Sequence, residues 1–557
     1  MTLSRDSLNS NGKWFFLVAL LLVNLIQAAY TQLTGDEALY WMHSRNMDWG
    51  FRDHPPAIAS MIGIGYSFFK SELGVRLLVV LANTITIGLI YRLTKPRALW
   101  HFVLLVLSLP ALNIYGFIAT PDVPLLLSTA LYLNVWEKFL ENQNTRNTWL
   151  LAACMAALVW SKYHGILVIM LLILPQRKLW FSRHFWMAAC GGILLYSPHI
   201  IWQIVNDLPS IKFHINDRNS DAWELKHILG YIGGQLMVFN PVVLFWLIYV
   251  MIKNKAATDF ERSLRWFITG LMVMFFINSF RGRVEPHWTA PLAIAVIFIL
   301  VKEIERKGLK PSVKYALVSI SLLLLLVRSA LIFDFIPQLY RDFHRDEAKM
   351  NAIHEVAGDL PVCFMNSYQN PALYTFYTGN TAHSINNTEG GKNQYDYWNY
   401  AVWFNKKPFL FVASYDAPEF EKVKSDKFEF NMRKYVDLPL LHDLQIRTDE
   451  WLHRFHPGDT AKIAAVIVNN NSYEIDFADS LHNIQWMAMY NHKKPNEANE
   501  RLEIIGMPQN LMPGESKRIE LRFLIPNRLG RNYLLFAAKI DELPPTYQSN
   551  KIRMMID

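Results

Sequence analysis

The stretch Thr34-Gly35-Asp36-Glu37-Ala38-Leu39-Tyr40-Trp41 places two adjacent carboxylates directly after an apolar run and before two aromatic rings. Adjacent carboxylates suit removal of a proton from a hydroxyl or amine, one as base and the other orienting it. Asp36 is the candidate base and Glu37 its helper. The same pair suits a helix N-terminus, where unpaired amides favour carboxylates, and the two roles are compatible. A second knot follows at Arg52-Asp53-His54-Pro55-Pro56. Beyond it lie Thr120-Pro121-Asp122, Ser161-Lys162-Tyr163-His164-Gly165, His214-Ile215-Asn216-Asp217-Arg218 and Arg281-Gly282-Arg283-Val284-Glu285-Pro286-His287-Trp288. Lys162, Arg218, Arg281 and Arg283 are cations of the kind that hold a phosphate. Tyr40, His54 and His164 are further substrate contacts. Asp53, Asp122, His214, Glu285 and His287 offer oxygen and nitrogen to a divalent cation. That is the one cofactor these residues admit, and no tight histidine spacing supports it. Plainer roles compete. Asp122 suits a helix cap, Lys162 and Arg283 suit snorkelling to a membrane surface, and His164 and His287 suit interfacial packing.

Something must bring these scattered clusters to one place. The chain has 557 residues, a formal net charge of +8 and 52% hydrophobic residues. Its apolar residues concentrate between Trp14 and about Phe335 in runs approaching the ~20 residues that cross a bilayer. The runs begin near Trp14, Val75, Leu99, Val123, Trp149, Gly165, Phe185, Ile228, Trp266, Ala290 and Tyr315, which predicts about eleven spans. The first run lacks a clear cleavage site and reads as a retained span. Lys and Arg gather after alternate spans, at Arg92 to Arg97, Lys138 to Arg146, Arg177 to Arg183, Lys253 to Lys255 and Lys302 to Lys310. Those ends face the cytoplasm. All the polar clusters above then fall on the opposite, outer side, together with the C-terminal region. The positive balance is accounted for by the inner loops, and no basic surface interleaved with aromatics points to nucleic acid. Cys154, Cys190 and Cys363 are scattered and suggest no disulfide framework. Between Asp36 and Lys70 the aromatic and apolar pattern predicts two short helices in the membrane surface.

After about residue 340 the chain changes character. An alternating helix and strand pattern predicts an α/β domain over 340–455, with Asp346–Ala357 helical and Pro361–Met365 and Pro408–Ser414 as strands. Strand-like runs at Lys462–Val468, Ile484–Tyr490, Ser516–Phe523 and Arg531–Lys539 predict an immunoglobulin- or fibronectin-like β-sandwich over 456–557. Residues 1–339 form the membrane domain. Polar and aromatic groups at Tyr368-Gln369-Asn370 and Asn393 to Trp398 suit sugar contact, and equally suit a turn-rich surface.

The Asp36-Glu37 pair followed by Tyr40, the His54-Pro55-Pro56 element, Pro121-Asp122 before the fourth span and the odd number of spans resemble the GT-C type membrane glycosyltransferases. The likeness is to bacterial relatives of the protein O-mannosyltransferases and of the lipid A aminoarabinose transferase. It covers about Asp36–Pro291. It implies a GT-C-like polytopic helical domain and maps a catalytic or acceptor-contacting aspartate onto Asp36. It also maps a metal- and phosphate-binding acidic-basic-Pro-Pro element onto Asp53-His54-Pro55-Pro56. His54 stands where that element usually has Lys, which leaves Lys162 to supply the cation. The long C-terminal region departs from the short tails of those relatives. The implied activity moves a sugar from a polyprenyl-phosphate-linked donor to a lipid, glycan or protein acceptor, outside the inner membrane of a bacterium. Two other readings are a secondary transporter and an envelope scaffold. A transporter calls for paired repeats and charges near mid-membrane, and a scaffold needs no polar outer loops.

Overall fold

A computed structural model describes residues 5–557 apart from 215–223, 334, 336–343, 389, 391, 399, 417–419, 426–427, 449–450, 479–480, 491–498 and 542. The chain divides into two compact units, Met1–Asp346 and Glu347–Asp557.

The first unit is helical: α1 Arg5–Tyr30, α2 Gly35–Arg45, α3 Ala57–Phe68, α4 Glu72–Thr94, α5 Leu99–Ser108, α6 Pro110–Ile114, α7 Asp122–Glu141 and α8 Thr145–Ser161. There follow α9 Gly165–Ile173, α10 Arg183–Val205, α11 Pro209–Lys212, α12 Leu225–Phe239, α13 Pro241–Lys253, α14 Asp259–Asn278, α15 Leu292–Lys307 and α16 Pro311–Phe333. Each expected span coincides with a helix or a broken pair of helices. Among the described residues, four are by themselves long and apolar enough to cross a membrane: α1, α4, α10 and α16. The pair α12 and α13 passes only jointly and is bent by 97°. The expected count of about eleven is therefore not established by helix length and composition.

Apolar residues sort by helix face. Leu292 to Val301 of α15 are buried on every side, as befits a helix enclosed by others. The outer faces of α10 and α16 show Leu194, Ile201, Leu322 and Leu325 at half exposure or more, a surface suited to lipid. Two breaks meet inside the bundle. Proline at the first position of α6 and of α13 restarts each helix where its missing N–H costs nothing. Asn240, at φ 58°, caps α13 through Val243 N and donates from its side chain to the Ser108 carbonyl at 2.8 Å. Two short helices do occur between Asp36 and Lys70, α2 and α3, and α2 is buried from Glu37 through His43.

The second unit opens with helix Asp346–Ala357 and a five-stranded sheet of β1 Val362–Met365, β2 Ala382–Ile385, β3 Phe409–Ala413, β4 Glu421–Ser425 and β5 Phe428–Tyr435, in the order β2-β1-β3-β5-β4. Strands β1, β2 and β3 run parallel, and β5 is antiparallel to β3. Two further sheets follow. One has the order Glu503–Ile505, Ser516–Leu524, Thr460–Asn469, Leu444–Arg447. The other joins Asn499–Arg501, Ile484–Tyr490, Gly530–Ile540, Ile552–Ile556 and Trp451–Phe455. The expected start of the sandwich at 456 is too late, because Leu444–Arg447 and Trp451–Phe455 already pair into it. One apolar core runs from Cys363 and Phe411 through Ile467 to Phe536, so the α/β part and the sandwich are packed as one body.

Candidate active site

Thr34 caps α2 in a reciprocal box. Its hydroxyl accepts from Glu37 N at 3.4 Å, and Glu37 Oε2 accepts from Thr34 N at 3.0 Å. The Glu37 carboxylate also receives Arg76 of α4 in a two-pronged pair, Nε to Oε1 and Nη2 to Oε2, both 2.6 Å. A third donor reaches Oε1, the Ala119 amide at 2.7 Å. Arg76 completes its fork on the Ala28, Thr31 and Gln32 carbonyls and the Thr31 hydroxyl. Glu37 and Arg76 are both fully buried. Glu37 therefore joins α2, α4 and the segment before α7, and its oxygens are committed to the protein. Asp36, one residue earlier on the first turn of α2, is exposed. The helix-cap reading holds for Glu37 and leaves Asp36 facing outward.

Three residues beyond Ala119, Asp122 opens α7. It makes no cap to its own helix. Instead Lys162 Nζ lies 2.8 and 3.0 Å from its two oxygens, and both residues are nearly fully buried. Lys162 thus does not snorkel, and Asp122 does not act as the cap its sequence suggested. His287 Nε2 stands 3.8 Å from Asp122 Oδ2, and the His287 ring meets that of Tyr115 with centroids 6.4 Å apart. His54 lies within electrostatic reach of Asp122, and His164 within reach of Lys162, His54, His214 and His287. His54 Nε2 is 3.8 Å from Asp53 Oδ2, and its ring lies against Tyr40. His214 stands against the Asp53 carbonyl at 3.3 Å and the Tyr163 ring. The clusters at 53–54, 122, 162–164, 214 and 287 thus lie close to one another.

Other expected site residues stand differently. Arg283 pairs with Glu285 at 3.0 Å, at 73% and 25% side-chain exposure; Arg281 is exposed. Arg218 lies outside the described residues. The expected metal ligands Asp53, Asp122, His214, Glu285 and His287 do not gather into a set of three: no such His, Cys, Asp or Glu group occurs among the described residues. The reason is visible at the pair just described: Asp122 is engaged by an ammonium.

A second brace was missed in the sequence. His199 of α10 sits with one ring nitrogen, Nδ1, 2.7 Å from the Trp49 carbonyl, and the other 3.0 Å from the Tyr163 hydroxyl. A carbonyl only accepts, so Nδ1 carries the proton and Nε2 accepts. Gln203 donates to the Tyr163 hydroxyl and to Ser210 Oγ, which donates to the Phe51 carbonyl. Trp202 donates to Asp48 at 2.7 Å. Helix α10 thereby grips the loop carrying Asp53 and His54. The His43 ring of α2 stacks on Phe51 at 3.9 Å, and burial pushes its pKa down to about 4 against the opposing pull of Asp53, so it packs as a neutral ring. A signal for the buried partners was present: Arg76 interrupts an apolar run, where an ionisable group is costly unless it has a task.

Comparison with known proteins bears on the fold. Residues 53–202 match the dolichyl-phosphate-mannose-protein mannosyltransferase family. The chain is 22% identical over 284 residues to the lipid A galacturonosyltransferase RgtD of Rhizobium johnstonii, covering 48% of this chain and 59% of that protein's length. The structure is similar to ArnT from Cupriavidus metallidurans bound to undecaprenyl phosphate, with a TM-score of 0.56 and 15% identity, covering 75% of this chain and 97% of that one. The apo form of the same protein gives 0.54 and 14%, covering 76% and 98%. In sequence over part of its length, and in fold, the chain is similar to the GT-C type membrane glycosyltransferases.

Proposed function

We propose that this protein is a membrane glycosyltransferase that moves one sugar from a polyprenyl-phosphate donor to an acceptor on the periplasmic side of a bacterial inner membrane. The observation that carries the reading is the convergence of the outer loops on the buried Asp122–Lys162 pair, at the head of a helical unit whose fold resembles a protein solved with undecaprenyl phosphate. A fixed ammonium among imidazoles suits a phosphate whose charge grows as its bond to the sugar breaks.

In the proposed reaction the exposed Asp36 carboxylate takes the proton from the acceptor hydroxyl or amine. The freed electron pair forms the bond to the anomeric carbon. The bond from that carbon to the phosphate oxygen breaks, and the polyprenyl phosphate leaves with the electron pair. Lys162 and His54 face the departing phosphate, with Arg281 and Arg283 at the exposed rim. Tyr40 and His164 line the sugar, and Asp122 sets the position of Lys162. A divalent cation is assigned no site, because no three of the expected ligands gather among the described residues; loss of turnover on thorough chelation would show that one takes part. Glu37 acts through α2 and touches no reactant.

The test is Asp36→Asn in a transfer assay with a polyprenyl-phosphate sugar in liposomes. Loss of a general base lowers the rate by about 10²–10⁴-fold, with melting unchanged because Asp36 is exposed. Wild-type turnover in this variant removes Asp36 from the mechanism.

A further inference from the structure

The second unit contains a cavity unrelated to the loops described above. It lies at the carboxyl edge of β1 and β2, on the face of that sheet turned toward the sandwich core. Its floor is apolar, with Phe411, Leu440, Ile540 and Leu543. Its wall is polar, with Ser384, Asn386, Asp396 and His442. The carboxyl ends of parallel strands are where open α/β sheets hold ligands, and an apolar pocket with a few convergent polar groups is the usual form of a small-molecule site.

The polar wall is built. Ser384 Oγ donates to Asn386 Oδ1 at 2.8 Å, and Asn386 Nδ2 donates to Asp396 Oδ2 at 2.7 Å. Asn393 braces both Ser384 and Asn386. One His442 ring nitrogen faces the Asp396 carbonyl at 3.1 Å. One member is left over. His383, 1% exposed, lines the cavity, and its Nδ1 is buried with no hydrogen-bond partner. Buried polar atoms in folded proteins are nearly always satisfied, so this one points to a partner that arrives. Burial holds His383 neutral, with its pKa down at about 3, so it offers a neutral hydrogen-bonding edge.

We propose that this cavity binds one neutral saccharide unit. A sugar ring has an apolar C–H face, which fits the Phe411 and leucine floor, and an equatorial fringe of hydroxyls, which fits amide, imidazole and carboxylate edges. A free anion fits less well, because the Asp396 carboxylate shares the wall with Lys392 and balances its charge. An acyl chain would leave the polar wall dry. The site goes beyond the transfer reaction, and its test does not depend on that reaction.

The experiment uses the full-length protein in detergent with methyl glycosides of glucose, galactose and mannose as probes, and methyl galacturonate and decanoate as contrasts. Hydrogen exchange should slow over 382–388 and 438–443 with at least one neutral glycoside, and less with the two contrasts. His442→Gln should weaken that glycoside about tenfold, the loss of one buried hydrogen bond. If the variant folds poorly, the wild-type exchange pattern decides alone. Protection absent with all three glycosides, confined to residues 1–346, or strongest with decanoate overturns the proposal.

Discussion

Replacing Arg76 with methionine tests the buried joint behind the first outer loop. In the native protein the guanidinium satisfies both Glu37 oxygens at 2.6 Å, three backbone carbonyls and the Thr31 hydroxyl, with neither partner exposed. Arg76→Met leaves the Glu37 charge buried with only the Thr34 and Ala119 donors. Removing one member of a buried pair costs about 3–5 kcal/mol. The double variant Arg76→Met with Glu37→Leu removes both charges, and such replacement is often neutral in stability. It also removes the acceptor that ties Ala119, and through it Asp122, to α2. The expectation is a large loss of stability in the single variant, recovery in the double variant, and turnover that stays low in both. Chemical unfolding in detergent and transfer from a polyprenyl-phosphate sugar, with kcat and KM separated, give the two readouts. A single variant within about 1 kcal/mol of wild type, against the 3–5 kcal/mol scale, refutes the joint. Turnover that recovers together with stability in the double variant refutes the positioning role.

Three other expectations follow from the same geometry. Lys162→Met should destabilise the protein through the stranded Asp122 and raise KM for the donor, whereas Arg283→Ala, at an exposed pair, should change stability by less than about 0.5 kcal/mol; equal stability losses contradict the difference in burial. His383 has a folded pKa of about 3 below its ordinary 6.5, so the unfolded chain binds more protons between those values; stability should fall with decreasing pH across that window, by about 1.4 kcal/mol per unit, and His383→Gln should flatten that limb of the melting curve. A cysteine placed at Ser472 should react with an impermeant reagent added outside intact cells and one at Asn144 should not; labelling of Asn144 would invert the proposed orientation.

Much of this arrangement was legible because local patterns carried it. The adjacent Asp36 and Glu37 read as a helix N-terminus, and the alternating Lys and Arg loops grouped the later clusters, several of which the structure brings close together. Strands such as Ile484–Tyr490 followed from short apolar runs between turns. What failed to show was non-local. Arg76 reads as the edge of an apolar run until Glu37, thirty-nine residues away, is seen against it. Asp122 looks like a cap because Pro121 precedes it, yet the carboxylate turns to Lys162, forty residues on. Carboxylates and imidazoles close in space looked like metal ligands in sequence, where an ammonium at the same point cannot be weighed. Trp451–Phe455 was assigned to the preceding domain because its parallel partner, Ile552–Ile556, lies at the far end of the chain.

The most direct measurement is release of polyprenyl phosphate by the purified wild-type protein in liposomes, from a polyprenyl-phosphate sugar, with envelope lipids and glycans offered as acceptor. The account predicts release that requires the acceptor, equals the sugar transferred and disappears in Asp36→Asn. A folded protein that leaves the donor intact with every acceptor, or carries it across the bilayer unchanged, contradicts it.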